Sequence, residues 1–292
     1  MSATYGQGEA PPPQVEAVAG RAAIMARASS ENFPVAGRWL PQPARSQLLA
    51  IYGFARLADE LGDSAPGDRL AALDWLEDQL DRAFAGQVDH PLMAPLASTV
   101  AACQLRREPF LRLIEANRSD QRTRYYERFE DLLAYCELSA NPVGELVLEV
   151  FGVASAERVA LSNAVCTALQ LVEHWQDIRE DVMRGRVYVP LADLARFGCS
   201  IDDLQAPCVV ESLRCVLELE AARTSALLDA GRPLVAGLRG WPRIAVAGYV
   251  GGGRAALSAL ARAEFEVLAL TPRPSRRRVI GSILRALDGK SR

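Results

Sequence analysis

The chain has 292 residues, of which 50% are hydrophobic and 24% are charged, and its formal net charge is −3. This length supplies ample apolar material for the core of one or two globular domains. The composition excludes a chain that is disordered throughout, a collagen-like fold and a small disulfide-rich protein.

The basic residues are almost all arginine, since Lys290 near the C-terminus is the only lysine. A Schiff-base lysine in the body of the protein and the lysine of a GxxxxGK phosphate-binding loop are therefore excluded. His90 and His174 are the only histidines, which disfavours a metal site built from several histidines. We expect the chemistry to rest on carboxylates, arginines and hydroxyls.

The N-terminal sequence predicts a flexible leader over residues 1–15, which include three consecutive prolines, Pro11 to Pro13. This segment has neither the basic start nor the apolar core of a secretion signal. The six cysteines contain no CxxC pair, so free thiols in a reducing cytoplasm are expected. Residues 16–292 show no composition shift that would mark a second domain, and one domain is predicted.

Prolines divide the rest of the chain into segments of helical length. Within these segments apolar residues recur at intervals of three and four, as in the series Leu48, Ile51, Tyr52 and Ala55. Alternating strand patterns are missing. The predicted fold class is therefore all-α, in the form of a helical bundle.

Two pairs of aspartates share one spacing. Asp59 and Asp63 stand four residues apart, which places both carboxylates on one helix face, where like charges are unfavourable without a cation. One such pair is a weak indication in a chain with 36 acidic residues. The same spacing recurs at Asp177 and Asp181, after an uncharged stretch from Leu161 to Val172. The second pair is thus predicted at the end of an apolar helix rather than on a charged surface.

Two such pairs on facing helices predict a ring of carboxylate oxygens over an apolar cavity. Mg²⁺ fits a ring of this kind, because it takes few carboxylates and completes its octahedron with water and phosphate oxygens. Arg56 lies about one turn before the first pair and Arg186 follows the second, and both suit bidentate binding of phosphate. The implied substrate is a diphosphate with an apolar tail.

Longer stretches around these residues resemble the squalene and phytoene synthases, the head-to-head class of isoprenoid enzymes. The resemblance covers nearly all of residues 29–270, and its motifs are Tyr52 to Asp63, Tyr135 to Cys136, Gln170 to Asp181, and Arg184 to Pro190. It implies a single-domain isoprenoid synthase bundle around a central apolar cavity. It also implies Mg²⁺ as cofactor and a prenyl diphosphate as substrate, with no nucleic-acid partner.

Within the family the resemblance is greatest to the branch that makes hydroxysqualene in bacterial hopanoid biosynthesis. It rests on Glu31 to Val35, Tyr135 to Gly144 and Trp175 to Asp177. Phytoene and presqualene diphosphate synthases typically read YCxxVAGxVG and carry arginine just before the second acidic pair. This chain has Ser139 to Pro142 and Gln176 at those places.

This branch implies that presqualene diphosphate loses its diphosphate, that the resulting cation rearranges, and that water captures it as hydroxysqualene. Two alternatives stay open. The first is a synthase that condenses two prenyl diphosphates to presqualene diphosphate or phytoene. The second is a non-catalytic assembly factor with the same fold, against which the intact acidic pairs argue.

The resemblance also implies roles for individual side chains. The residues expected to act in catalysis are Asp59, Asp63, Asp177, Asp181, Tyr52, Arg56 and Tyr188. The residues expected to contact the substrate are Ser30, Asn32, Arg56, Gln170, Glu173, Arg186 and Asn141. The expected magnesium ligands are Asp59, Asp63, Glu173, Asp177 and Asp181.

Glu173 departs from the family pattern, which usually has asparagine four residues before Asp177. An additional carboxylate here serves either as a further magnesium ligand or as a group that assists water. The neighbouring His174 lies one step off the face of Asp177, and a structural or supporting role is favoured for it. Tyr135 and Cys136 are expected in the wall of the pocket.

The C-terminal segment predicts a basic amphipathic helix, in which Val279, Ile280, Ile283, Leu284 and Leu287 share one face. Either this helix packs on the bundle with a solvated basic face, or it contacts the inner surface of the membrane as a peripheral anchor. The run Gly251 to Gly253 lacks the spacing of a nucleotide-binding loop, and close helix packing or room for the prenyl chain is the favoured explanation.

Overall fold

The computed structural model describes residues 36–37, 39–88, 90–91 and 93–288. Helices dominate this part of the chain, and they are numbered here in chain order. They are α1 Gln42–Asp63, α2 Arg69–Phe84, α3 Met93–Cys103, α4 Glu108–Asp120, α5 Phe129–Ser139, α6 Asn141–Val150, α7 Ala156–Gln176, α8 Ile178–Met183, α9 Leu191–Arg196, α10 Glu211–Ala230, α11 Arg232–Gly237, α12 Gly240–Arg262 and α13 Arg276–Asp288. A 3₁₀ helix spans Ile201–Gln205.

The described residues form no strand, and Tyr125 and Val187 make an isolated parallel bridge. The all-α prediction is confirmed. The predicted leader, residues 1–15, lies outside the described residues.

Local sequence signals explain where several helices begin. Asp68 caps α2, since its carboxylate accepts a hydrogen bond from the backbone N–H of Ala71 at 3.0 Å. Ser155 caps α7 in the same way through the N–H of Arg158. Side chains of this type satisfy amide groups that have no partner within the helix, which fixes the start of the helix.

Three apolar clusters hold the helices together. The first fills the space between α1, α2, α3 and α4, where the rings of Phe54 and Phe110 meet edge to face at 5.1 Å. The second surrounds the C-terminal end of α7 around Trp175. The third joins α6, α7 and α12 through residues such as Leu148, Leu169 and Val246. Because α7 contributes to two clusters, its packing sets the position of the acidic residues that follow its C-terminal end.

α12 is a core helix. Its length and composition would allow it to cross a membrane, but 72% of its apolar window is buried inside the fold. Gly251 allows α13 to pack closely on it, since a Cβ atom there would lie 2.7 Å from the Cα of Ile283. Gly253 likewise faces Leu169, with a Cβ separation of 2.9 Å from Cδ2. The glycine run therefore serves close helix packing.

The predicted C-terminal helix is present as α13, but the structure divides its apolar face. Ile283 and Leu287 pack against the third cluster, whereas Ile280 and Leu284 are 58% and 56% exposed. The close approach at Gly251 explains the division, because it turns Ser282 and Ile283 toward α12. Of the five apolar residues predicted to share one face, Ile280 and Leu284 are therefore left exposed.

Candidate active site

A cavity of about 210 Å³ lies between α1, α6, α7 and α12, and a few charged side chains stand in its otherwise apolar lining. Most of its wall is apolar, with contributions from residues such as Ile51, Val147 and Leu169. The polar residues that line it are Tyr52, Arg56, Asp59, Ser139, Ser162, Gln170, Glu173 and Tyr249. An apolar wall with a few charged groups at one side is the form expected for an amphipathic small molecule.

The last turns of α1 hold the first acidic pair. Asp59 is an ion-pair partner of Arg56 at 3.4 Å, and the same guanidinium lies 3.7 Å from Glu60. From α4, Asn117 donates its amide Nδ2 to Asp59 Oδ1 at 3.3 Å. A side chain at Gly62 would clash with the Oδ1 atom of Asn117, so this glycine permits the close approach of α4. The carboxylate of Asp59 is thereby held at the cavity with part of its charge offset.

Asp63 is joined to the segment that follows the second acidic pair. Arg186 Nη1 lies 2.7 Å from Asp63 Oδ1 and 3.8 Å from Asp120 Oδ2. The isolated bridge between Tyr125 and Val187 holds the backbone next to Arg186 against the chain that follows α4. The segment that follows the second acidic pair is therefore a spatial neighbour of the end of α1.

Asp120 is a buried acid with two polar neighbours, Tyr135 and Arg186. The hydroxyl of Tyr135 donates to its Oδ2 atom at 2.7 Å, and its side chain is 8% exposed. Burial raises the pKa of Asp120 to about 7, although the charge of Arg186 and the hydrogen bond from Tyr135 act in the opposite direction. Asp120 thus sits behind Arg186 and fixes the direction of its guanidinium.

The second acidic pair spans a break between two helices. α7 ends at Gln176, and Asp177 links it to α8 with φ −107° and ψ 15°. Burial, followed by repulsion from Asp181 and Glu180, raises the pKa of Asp177 to about 6. The pair therefore does not lie on one continuous helix, although the backbone hydrogen bond from Asp181 N–H to the carbonyl of Asp177 keeps them one turn apart.

His174 connects the cavity to the second pair. One ring nitrogen lies 3.2 Å from the amide nitrogen of Gln170, and the other lies 3.8 Å from Asp181 Oδ2. Its ring stacks on that of Tyr188 with centroids 3.6 Å apart. The side chain of Tyr188 is packed between His174 and Tyr135. Tyr188 is therefore linked to the second acidic pair through His174.

The described residues do not assemble the expected ring of carboxylates. Among them, no group of three or more acidic, histidine or cysteine side chains stands close enough to hold a metal ion. Asp59 and Asp63 each contact an arginine instead. Like charges repel one another, and each carboxylate takes the nearest cation. The donor set itself consists of hard oxygen ligands, which is the type that Mg²⁺ prefers.

The remaining residues singled out from the sequence divide into three groups. Ser30 and Asn32 lie outside the described residues. Asn141 is buried, and its Oδ1 atom accepts a hydrogen bond from Thr167 at 3.0 Å, which ties α6 to α7 beside the cavity. Tyr135 and Cys136 are buried as expected, but in the aromatic cluster around Tyr188 rather than in the cavity wall.

Sequence reasoning missed Asp120 and Asn117, which support the two aspartates of α1 from α4. No repeat or motif distinguishes them among the polar residues of their helix. Both side chains are mostly buried, and only the packing of α4 against α1 brings them to the site. A polar residue on the buried face of an amphipathic helix was the only available signal.

Comparison with known proteins places this geometry in a family. The chain matches the family described as squalene/phytoene synthase over residues 26–280. A hydroxysqualene synthase from Sinorhizobium fredii is 36% identical over 214 residues, which cover 70% of this chain and 70% of that protein. The crystal structure of squalene synthase HpnC from Alicyclobacillus acidocaldarius has 44% identity and a TM-score of 0.76, covering 87% of this chain and 97% of that one.

A further solved structure supports the fold alone. A dehydrosqualene synthase in complex with a ligand has a TM-score of 0.82 at 23% identity, covering 92% of this chain and 95% of that one. These structures have the all-α isoprenoid synthase fold, and the family match includes both acidic pairs and the helices that line the cavity. The chain belongs to the squalene/phytoene synthase family, whose members carry out head-to-head chemistry on prenyl diphosphates.

Proposed function

We propose that this protein converts presqualene diphosphate to hydroxysqualene. The observation that carries the proposal is the cavity, in which Arg56, Asp59 and Glu173 stand beside an otherwise apolar wall. Such a cavity suits a long hydrocarbon whose diphosphate lies at the charged side. The name and identity of the Sinorhizobium relative favour the hydroxysqualene branch, as does the sequence from Ser139 to Pro142.

The carboxylates of this region fit Mg²⁺. Asp59, Asp63, Asp177 and Asp181 would hold the metal, with Glu173 as a further ligand, since all offer hard oxygen donors. When bound, Mg²⁺ supplies neutralisation of charge on the departing diphosphate. The raised pKa of Asp177 agrees with this assignment, because a nearby cation would offset the repulsion among its acidic neighbours.

The arginines would then exchange partners. Arg56 and Arg186 contact carboxylates here, and with those carboxylates engaged as metal ligands both guanidinium groups would bind phosphate oxygens instead. The carbon–oxygen bond to the diphosphate breaks, and its electron pair leaves with the diphosphate. The charge-assisted hydrogen bonds from the arginines strengthen as negative charge develops on the leaving group.

The apolar wall controls the cation that remains. Side chains such as Ile51, Val147 and Leu169 offer no lone pair, so they allow rearrangement before capture. A water oxygen then forms the new carbon–oxygen bond, and that water gives up a proton to the solvent. The net reaction consumes presqualene diphosphate and water and yields hydroxysqualene and diphosphate, with no change of oxidation state that would require a nicotinamide.

The test uses the purified protein with presqualene diphosphate and Mg²⁺ in the absence of NADPH, with products identified by mass spectrometry. We expect hydroxysqualene and free diphosphate, and loss of both when EDTA is added. Squalene formed only on addition of NADPH, or presqualene diphosphate or phytoene formed from shorter prenyl diphosphates, would assign the chain to another branch. Failure to bind any prenyl diphosphate with Mg²⁺ would favour the assembly factor.

A further inference from the structure

A second charged pocket, separate from the cavity, lies on the outer surface between α12 and α13. Its volume is about 280 Å³. The polar side chains that line it are Ser258 and Arg262 from α12, and Arg277, Arg278, Ser282 and Arg285 from α13. No acidic side chain of the described residues contributes to its lining.

The hydrogen bonds of the pocket arginines go to hydroxyl groups. Arg262 donates to the hydroxyl of Ser258 at 2.5 Å and Arg285 to that of Ser282 at 3.0 Å. Within the described part of the chain, none of the four lies within ion-pair distance of a carboxylate. By contrast Arg254, on the same helix α12, is paired with Asp229. Guanidinium groups gathered without a counter-ion repel one another, so this pocket favours an anion rich in oxygen.

An exposed apolar pair lies on the same helix as the pocket and next to Arg277 on the helix surface. Ile280 and Leu284 follow Arg277 by three and seven positions, which places the three side chains on one stripe of α13. Both apolar side chains are more than half exposed, although Ile283 and Leu287 on the inner side are packed. A soluble phosphate ligand would leave this apolar pair without a partner.

We propose that the face formed by α12 and α13 docks the protein on an anionic lipid surface. The pocket takes the phosphate of a lipid headgroup, and Ile280 and Leu284 enter the adjoining acyl boundary. Basic residues next to exposed apolar side chains on one helix are the pattern of an interfacial helix. Each arginine near an anionic surface contributes attraction that salt weakens. Docking by this face is independent of which prenyl diphosphate the cavity accepts.

The test is co-sedimentation of the full chain with phosphatidylcholine vesicles that contain or lack about 30% phosphatidylglycerol. The double variant Arg278→Gln/Arg285→Gln should reduce the partition coefficient on the anionic vesicles by roughly 10- to 30-fold. The control Arg196→Gln/Arg239→Gln removes the same charge from exposed arginines elsewhere and should reduce it much less. Ile280→Ser/Leu284→Ser should weaken binding while leaving the charge unchanged. Circular dichroism melting of each variant confirms that it is folded.

The expected result is binding that requires anionic lipid, falls with added salt and is lost more in the pocket variants than in the control. Equal binding to both vesicle types, or an equal loss in pocket and control variants, overturns the proposal. If inorganic phosphate binds at the pocket arginines and vesicles do not bind, the ligand is a soluble anion and lipid docking is overturned. Binding of an oligonucleotide in preference to vesicles would likewise overturn lipid docking.

Discussion

Arg186 forms an ion pair with Asp63, with 2.7 Å between Nη1 and Oδ1, and so links the chain after the second acidic pair to the end of α1. The same guanidinium lies 3.8 Å from the buried Asp120. One arginine thus stands between two carboxylates that would otherwise face each other. In the proposed reaction it is one of the two guanidinium groups that move from carboxylate to diphosphate.

Replacing Arg186 with glutamine should make stability more dependent on pH. The folded pKa of Asp120 is already raised to about 7, and loss of the arginine raises it further. A carboxyl group whose pKa is higher in the folded than in the unfolded state stabilises the fold while it is protonated. The free energy of unfolding therefore falls as the pH rises from the unfolded-state pKa to the folded-state pKa. We expect the free energy of unfolding to drop by about 1 to 3 kcal/mol near pH 8, and by less near pH 6.

Urea denaturation of the Arg186→Gln variant at several pH values measures this effect. Arg184→Gln is the matched control, because Arg184 is 59% exposed in the same segment and lies 3.8 Å from Glu180. It should change stability by less than about 0.5 kcal/mol at every pH. Parallel pH profiles for Arg186→Gln and the wild type would argue against Arg186 as the group that offsets Asp120.

Asp59→Asn and Asp177→Asn should each abolish turnover while leaving the fold intact. Each removes the charge of a proposed ligand, but the amide introduced by Asp59→Asn retains an oxygen that can accept from Asn117, and position 177 loses a carboxylate with a raised pKa. Unfolding free energies should therefore stay equal or rise slightly. Turnover and thermal melting are the measurements, with Asp78→Asn on the surface of α2 as control. Full activity in either variant would refute the metal-site assignment.

Glu173→Gln distinguishes the two roles proposed for this carboxylate, which lines the cavity one turn before Asp177. As a ligand, its loss should weaken Mg²⁺ affinity and lower turnover by roughly 10- to 100-fold, or about 1.4 to 2.7 kcal/mol. As the group that orients water, its loss should shift the product from alcohol to polyenes with Mg²⁺ affinity unchanged.

Magnesium titration measures the Mg²⁺ affinity of this variant, and product analysis measures its ratio of alcohol to polyenes. Glu157→Gln, in the exposed first turn of the same helix, should leave both at the wild-type value. If neither quantity moves in Glu173→Gln, the side chain has a structural role and both hypotheses fail.

The contact of α12 with α13 predicts opposite effects for two glycines. Gly251→Ala places a Cβ atom 2.7 Å from the backbone of Ile283, so it should destabilise the protein by about 1 to 3 kcal/mol. Gly281→Ala meets open space in α13 and should stabilise it by about 0.5 to 1 kcal/mol. Urea denaturation measures both. Equal effects of the two variants would contradict the close packing assigned to Gly251.

Helical periodicity predicted the fold class, and the repeated aspartate spacing selected the residues proposed for the site. They did not predict the break at Asp177, because intervals of four are satisfied equally by one helix and by two that meet. Nor did they predict the partners of Asp63, since Arg186 and Asp120 come from distant segments. Such pairings depend on how helices pack, which local spacing does not encode.

The exposed side of α13 was unpredictable for a similar reason. Ile280 and Leu284 have the same spacing as Ile283 and Leu287, and periodicity alone treats all four as one apolar face. The contact point set by Gly251 decides which of them are buried. The side of the helix that stays exposed is thus decided by a residue on another helix.

Turnover of presqualene diphosphate in ¹⁸O-labelled water, with Mg²⁺ and without NADPH, distinguishes capture of the cation by water from its reduction. We expect hydroxysqualene that carries one ¹⁸O atom, because the cation is captured by solvent water and the original oxygen leaves with the diphosphate. Product that lacks the label, or squalene that appears only when NADPH is supplied, would contradict it.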